Sequence, residues 1–324
     1  MLTLRHLLTN EKTLFFWVFT LLACNFLDAQ SRKENFRRGQ SSIKSNENKL
    51  SSQLDHTSKE FTDSDLGLQR PVEVKSKGFG YHLGFSSKVY HTNNAASVSS
   101  GTGRESSGIW ENSLNNSFLL GAYDLGEIAF SPLFSLGYTK FRHFGEEDLD
   151  LLDFDTLSFG PNAFFQFRDG WVIRTGLGVM IDYAPNDDME KTYEQVSPMF
   201  ALGKGFQIGK ASSSWELSFA YHFSKSKQII DDLLDRYEIG FLWTANWKVN
   251  RLEYSPYLRI AHGEYVNQDR RDLMGSLGLE AAYHFNSWFS SHLFAGYSFR
   301  SSNDNIYKFK RLDLGGGLRI DAKF

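Results

Sequence analysis

Large apolar residues recur at every second position through much of residues 77–324, and this period of two constrains the fold more than any other feature. In the final segment, Leu312, Leu314 and Leu318 fall on one face, while Arg311 and Asp313 fall on the other. Successive side chains of a strand point to opposite faces, whereas a helix would mix these two sets. The sequence therefore predicts an all-β domain over residues 77–324.

Twelve segments carry this alternation, and an even number is what single-chain bacterial membrane barrels require. The connections after every second strand are tight, as at Asp169-Gly170 and Asn250-Arg251, whereas the first is a long Ser/Gly-rich loop. Short periplasmic turns and longer external loops are typical of such barrels. We predict a transmembrane antiparallel up-and-down β-barrel with both ends in the periplasm. The predicted strands are approximately 78–92, 113–126, 128–144, 154–168, 171–185, 192–209, 214–226, 236–249, 254–266, 271–286, 288–301 and 307–324.

The first 29 residues have the layout of a signal peptide. Arg5 and Lys12 flank a short apolar run, which is followed by small and polar residues. The run is shorter than the ~20 residues of a membrane-spanning helix. We therefore predict cleavage after Ala29, an exported chain and an outer-membrane location. A second reading takes residues 21–24 as a lipobox, which would make Cys24 a lipid-modified N-terminus.

Residues 30–76 are rich in Ser, Lys, Glu, Asn and Gln and contain few large apolar side chains. Such a segment cannot bury enough apolar surface to offset the entropy of ordering. We predict a disordered periplasmic tail.

Composition and motifs exclude several function classes. Cys24 is the only cysteine, so the folded region can hold neither a disulfide nor a thiolate metal site. The formal charge of -3 gives no basis for a nucleic-acid partner. No Gly-x-Ser-x-Gly or His-Glu-x-x-His motif is present. We therefore expect neither an enzyme nor a cofactor.

The last strand carries the most specific resemblance in the chain. Asp313, Gly315, Leu318 and Ile320 fit the spacing polar-x-Gly-x-x-apolar-x-apolar, and the chain ends on Phe324. In these features residues 78–324 resemble bacterial outer-membrane β-barrels as a general class. The resemblance implies recognition by the barrel-assembly machinery and contact with outer-membrane lipid and lipopolysaccharide.

A soluble β-sandwich or lipocalin-like barrel is the structural alternative, because its strands also alternate but turn their apolar face inward. Aromatic residues make up 15% of the chain. Bulky residues on nearly every strand would then have to be buried in one soluble core. The sequence favours the membrane barrel.

The polar face of the strands is predicted to line the lumen, and two functions follow from it. If water separates these groups, the barrel is a narrow pore for ions or small solutes with a charged lumen, and this is the function that we predict. If they pair, the barrel is a closed-lumen structural or surface-interaction protein. The acidic external loops, around 146–153, 187–190 and 231–235, are candidates for a divalent cation. The charged lumen candidates are Arg174, Asp182, Glu216, Glu238, Lys248, Glu280, Arg300, Arg311, Asp313, Arg319 and Asp321.

Overall fold

The computed structural model describes residues 79–97, 106–144, 152–185, 190–226 and 234–324. The predicted signal segment, lipobox and N-terminal tail lie outside these residues. Within them the chain forms twelve long antiparallel strands and one short strand. The strands are β1 (Gly80–Thr92), β2 (Ser107–Leu119), β3 (Tyr123–Asp124), β4 (Ile128–Phe144), β5 (Phe154–Phe167), β6 (Trp171–Tyr183), β7 (Lys191–Ile208), β8 (Ala211–Ser226), β9 (Arg236–Val249), β10 (Leu252–Tyr265), β11 (Arg271–His284), β12 (Phe289–Ser302) and β13 (Phe309–Lys323).

The sheet closes on itself, which confirms the predicted barrel. Each long strand pairs with its neighbours in sequence, and β2 pairs with β4 as well as with β1. The first strand β1 pairs with the last strand β13, with Phe85 opposite Ile320. The two-residue β3 lies outside this ring and pairs only with β4. No edge of the main sheet is left open, so the strands satisfy their backbone hydrogen bonds within the ring, as a membrane requires.

Eleven of the twelve predicted strands match within a few residues, but the second is wrong. It was expected over 113–126, whereas β2 begins at Ser107 and ends at Leu119. The hairpin with β1 starts at the pair Thr92 and Ser107, and Ser107 lies in the segment that was expected to be a loop. That part of β2 carries Gly108, Trp110 and Asn112 on its outward face, so it lacks a strong apolar signal. The strand ends before Gly121, whose φ of 141° departs from strand geometry.

The predicted tight turns lie where they were expected. Gly170 and Gly209 have φ of 82° and 60°, and Asn250 has φ of 55°, in the left-handed region that short hairpin turns need. At the last tight turn, the side-chain oxygen of Asn286 accepts hydrogen bonds from the backbone N–H groups of Trp288 and Phe289. All these turns lie at one end of the barrel, here called the turn end, and the opposite end is the loop end.

The outer wall of the barrel is apolar and open to its surroundings. Leu279 on β11 and Leu293 on β12 expose 46% and 70% of their surface. Trp171 and Trp215 pack edge to face at the turn end, and Tyr221 stacks against its neighbours near the loop end. A soluble monomer rarely exposes a continuous apolar patch of this extent, whereas lipid stabilises one. The chain therefore folds as a transmembrane β-barrel. No helix among the described residues is both long and apolar enough to cross a membrane.

The seam that closes the barrel depends on glycines of β13. A Cβ atom at Gly317 would meet the Ser87 carbonyl oxygen at a distance no real contact shows, and would lie 2.9 Å from the Lys88 Cα. Gly315 is confined in the same way by Val89. At the turn end of the seam, the Phe324 ring stacks on Tyr81 at 5.9 Å and their backbones exchange two hydrogen bonds. The chain end is thus part of the closure.

We expect Gly317→Ala to destabilise the barrel by about 1–3 kcal/mol, because backbone atoms of β1 must shift to admit the methyl group. Gly205→Ala is the matched control, since nothing lies within 4 Å of its added Cβ. Unfolding free energies in lipid vesicles measure both changes. Equal stability of the two variants would contradict the close approach at the seam.

Candidate functional site

A cavity of about 720 Å³ occupies the barrel interior, and both polar and apolar residues line it. It is called the vestibule here. Its wall includes Gly170 and Gln207 beside the tight turns, so it reaches the turn end. Toward the loop end it stops at Tyr90, Met274 and Arg311, which are all buried. The vestibule therefore extends from the turn end and stops among buried side chains toward the loop end.

Ion pairs cover the wall of the barrel. Each pair joins strands that are adjacent or next but one, so the charges neutralise each other along the wall. The pairs are Lys88 with Glu111 at 3.0 Å, Arg174 with Glu216 at 2.8 Å, Arg259 with Glu238 at 2.9 Å and Arg319 with Glu280 at 2.8 Å. The last is bidentate, with a second hydrogen bond of 3.0 Å.

Small residues between the paired strands make room for these contacts. The Arg174–Glu216 pair reaches across β7, where the residues in register are Ala201 and Gly203. Farther round the wall, Tyr257 lies over Gly278, where a Cβ would come within 2.6 Å of its ring. The glycines therefore seat larger side chains against the wall and keep the centre of the vestibule open.

A buried charged cluster lies inside the barrel at the loop end. Arg270, from the loop between β10 and β11, turns inward and donates two hydrogen bonds of 2.6 and 3.0 Å to Asp272. Its guanidinium also lies between the rings of Tyr265 and Tyr307, at 4.3 and 3.2 Å from their centres. Asp272 has no exposed surface and lies 3.6 Å from Arg300 as well. We call these five residues the cap.

Burial raises the pKa of the Tyr307 phenol above its usual value, and the positive charge of Arg270 opposes that rise. The phenol therefore stays neutral at physiological pH. Tyr307 belongs to a short 3₁₀ turn between β12 and β13, so the cap ties two external connections together.

Apolar clusters and a serine make further contacts at the loop end, among the residues that the structure describes. Phe141 and Phe154 stack at 4.6 Å within a cluster that includes Tyr90. Leu234 from another connection packs on Met180 and Tyr193. On the side of β13, Arg311 donates a 2.6 Å hydrogen bond to the hydroxyl of Ser97. The loop end of the interior is therefore packed with side chains from several connections.

The predicted lumen residues divide into three groups. Seven line the vestibule, three lie inside the barrel but outside its lining, and one is exposed at the turn end. The first group is Arg174, Glu216, Glu280, Arg311, Asp313, Arg319 and Asp321; the second is Asp182, Glu238 and Arg300; the third is Lys248.

Sequence reasoning missed several residues that determine the interior. Lys88, Glu111 and Arg259 all face the interior. Lys88 and Arg259 lie in predicted strands, so strict alternation could have found them, whereas Glu111 lies outside the predicted second strand. Arg270 gave no such signal, because it precedes a strand in what reads as a solvated loop. Its place in the cap depends on Tyr307, which lies far away in the sequence.

Most of the acidic loop residues proposed for a divalent cation lie outside the described residues. Two that are described have structural partners: Asp153 accepts from the backbone N–H of His143 at 2.7 Å, and Asp235 accepts from that of Ser224 at 2.7 Å. Within the described ranges, no three His, Cys, Asp or Glu side chains come together as a metal site.

The chain matches no known family model, and no curated protein matches its sequence. Solved barrels resemble it in fold at low sequence identity. An outer membrane channel from Pseudomonas putida F1 is 14% identical, with a TM-score of 0.48 over 79% of this chain and 100% of that one. The NanC porin is 8% identical, with a TM-score of 0.44 over 73% and 98%. The β domain of the Bordetella autotransporter BrkA is 12% identical, with a TM-score of 0.40 over 76% and 99%.

Proposed function

We propose that this chain is an outer-membrane barrel with a closed lumen, whose vestibule opens to the periplasm and whose loop end faces the outside. Of the two functions that the polar face allows, this is the structural or surface-interaction barrel. A closed lumen requires packed side chains at the loop end. The cap supplies them, and it is the observation that carries this proposal. Asp272 is fully buried between Arg270 and Arg300.

The charge pattern of the wall supports the same function. A selective pore presents rings of charge of one sign to the permeating ion. Here Arg174, Arg259 and Arg319 are each held by a glutamate within 2.9 Å. A wall whose charges are neutralised in this way discriminates little between permeating cations and anions.

A narrow pore for ions or small solutes is the second candidate, and the vestibule favours it. A cavity of about 720 Å³, lined in part by charged residues, leaves space inside the barrel. On this hypothesis the cap opens, and the vestibule then connects the two sides of the membrane.

The orientation follows from the tight turns, which share the turn end with the start of β1 and the end of β13. We propose that export depends on residues 1–29, and that the terminal strand with Phe324 is what the barrel-assembly machinery recognises. Short turns on the periplasmic side are the rule for bacterial barrels.

Single cysteines read by a membrane-impermeant maleimide test the proposal. We expect Glu264→Cys, at the exposed loop-end rim, to react in intact cells. Ser255→Cys in the vestibule should react only after the outer membrane is permeabilised, because the cap blocks entry from outside. The unsubstituted chain gives the background. Reaction of Ser255→Cys in intact cells as fast as that of Glu264→Cys would favour the open pore.

A further inference from the structure

A basic cluster on the outer wall points to a lipid partner. Lys140 and Arg142 alternate with inward residues of β4, so both side chains face outward, toward lipid. Trp110 of β2 lies directly opposite Arg142 and is about half exposed. From these three residues and the carboxylate beneath them, Asp155, we infer a site for the phosphate of an anionic lipid headgroup in the outer leaflet.

The height of the cluster matches a headgroup. Phe130 packs on Tyr123 and Phe165 in the aromatic belt of the turn end. Lys140 lies ten residues after Phe130 on the same strand, since 140 − 130 = 10. At about 3.4 Å per residue and a tilt of about 40°, it lies about 26 Å above Phe130, against an apolar band of about 25 Å. Arg142 lies one pleat higher.

Of the two cations, Arg142 is held in place by several contacts. Asp155 accepts from the Tyr138 hydroxyl at 2.6 Å and lies 2.7 Å from Nη1 of Arg142. That same Nη1 donates to the carbonyl oxygens of Phe141 and Phe154. Arg142 is therefore rigid, which lowers the entropy lost when it binds a ligand.

Among the described residues of the cluster, the exposed charge is positive, although two carboxylates are present. Asp155 exposes only 6% of its side chain, whereas Lys140 exposes 48% and lies at 3.9 Å from it. The second carboxylate, Asp153, is 4.0 Å from Nε of Arg142 and is already bonded to His143.

Two other outward-facing ion pairs at this rim do not combine an exposed cation with a buried carboxylate. Arg271 pairs with Glu264, which exposes 55% of its side chain, and Lys191 pairs with a partly exposed Glu194. In those pairs the carboxylate meets water beside the cation and would repel a phosphate. The indole of Trp110, fixed by a 3.0 Å hydrogen bond to Ser87, adds a flat apolar surface at the interface. The cluster on β4 and β5 is thus the part of the rim that suits an anionic headgroup.

Native mass spectrometry of the solubilised barrel tests the inference, with lipid A carrying both phosphates as the probe. Lys140→Gln combined with Arg142→Gln should weaken binding about tenfold, since two charge-assisted contacts are lost. Lys191→Gln combined with Arg271→Gln is the control, because it removes the same charge from the same rim. We expect the control to bind as the parent does.

Dephosphorylated lipid A should bind the parent barrel as weakly as the phosphorylated lipid binds the double variant. If the Arg142 substitution prevents folding, Lys140→Gln alone should still weaken binding about threefold. The inference is overturned if the lipid without phosphates binds equally well, or if the cluster variant and the control lose affinity to the same extent.

Discussion

Leu279→Arg is expected to destabilise the barrel by about 2–4 kcal/mol, the cost of a basic residue near the midplane of a barrel's lipid face. Leu279 lies in the middle part of β11 on the outer wall, with 46% of its surface exposed. An arginine there loses its hydration to lipid. Urea unfolding in vesicles gives the free energy directly.

Ser255→Arg is the matched control, because Ser255 lies on the adjacent strand at a similar depth but faces the vestibule. Its register partner is Glu280, so its side chain faces the polar groups of the vestibule and not lipid. We expect a much smaller loss, limited to the hydrogen bond from Ser255 to Asn246. If the Ser255 variant proves the less stable of the two, the outer wall does not face lipid.

The strands could be predicted from the sequence because alternate residues of a membrane barrel face lipid and the interior, and the two environments favour different side chains. The segment of β13 is the clearest case, with leucines out and arginines in. The alternation fails where both faces are mixed. In the first half of β2, Ser107, Ile109 and Glu111 alternate with Gly108, Trp110 and Asn112. Neither face is uniformly apolar, so the sequence predicted a loop there.

The predicted lumen charges lie inside the barrel, with Lys248 exposed at its turn end. The alternation of inward and outward residues could not predict which of these charges form pairs. Arg174 meets Glu216 across an intervening strand, and Arg319 meets Glu280 in the same way. Such contacts depend on the shear of the barrel and on small residues between the strands. The cap was missed for a related reason, since Arg270 and Tyr307 come from two different loops whose inward folding has no local pattern.

Asp272→Ala is expected to cost about 3–5 kcal/mol, because it leaves two buried guanidinium groups without their carboxylate. Arg270 and Arg300 expose 3% and 2% of their surface, so water cannot easily replace the lost partner. Heat-dependent gel mobility and urea unfolding both report the change.

Asp269→Ala in the same loop is the control, since Asp269 is exposed and should change stability by less than about 0.5 kcal/mol. Asp272→Asn keeps the shape of the side chain and serves if the alanine variant fails to fold. Equal stability of the Asp269 and Asp272 variants would mean that the cap does not hold the loop end together.

Planar-bilayer recording of the refolded barrel tests the closed lumen most directly, because it does not depend on the orientation of the protein. The intact chain is predicted to insert without stepwise conductance, since the cap and the aromatic cluster fill the loop end. Asp272→Ala, once folded, should conduct, because Arg270 then loses the carboxylate that holds it in the mouth. A steady ohmic conductance at every insertion of the intact chain would contradict the closed lumen.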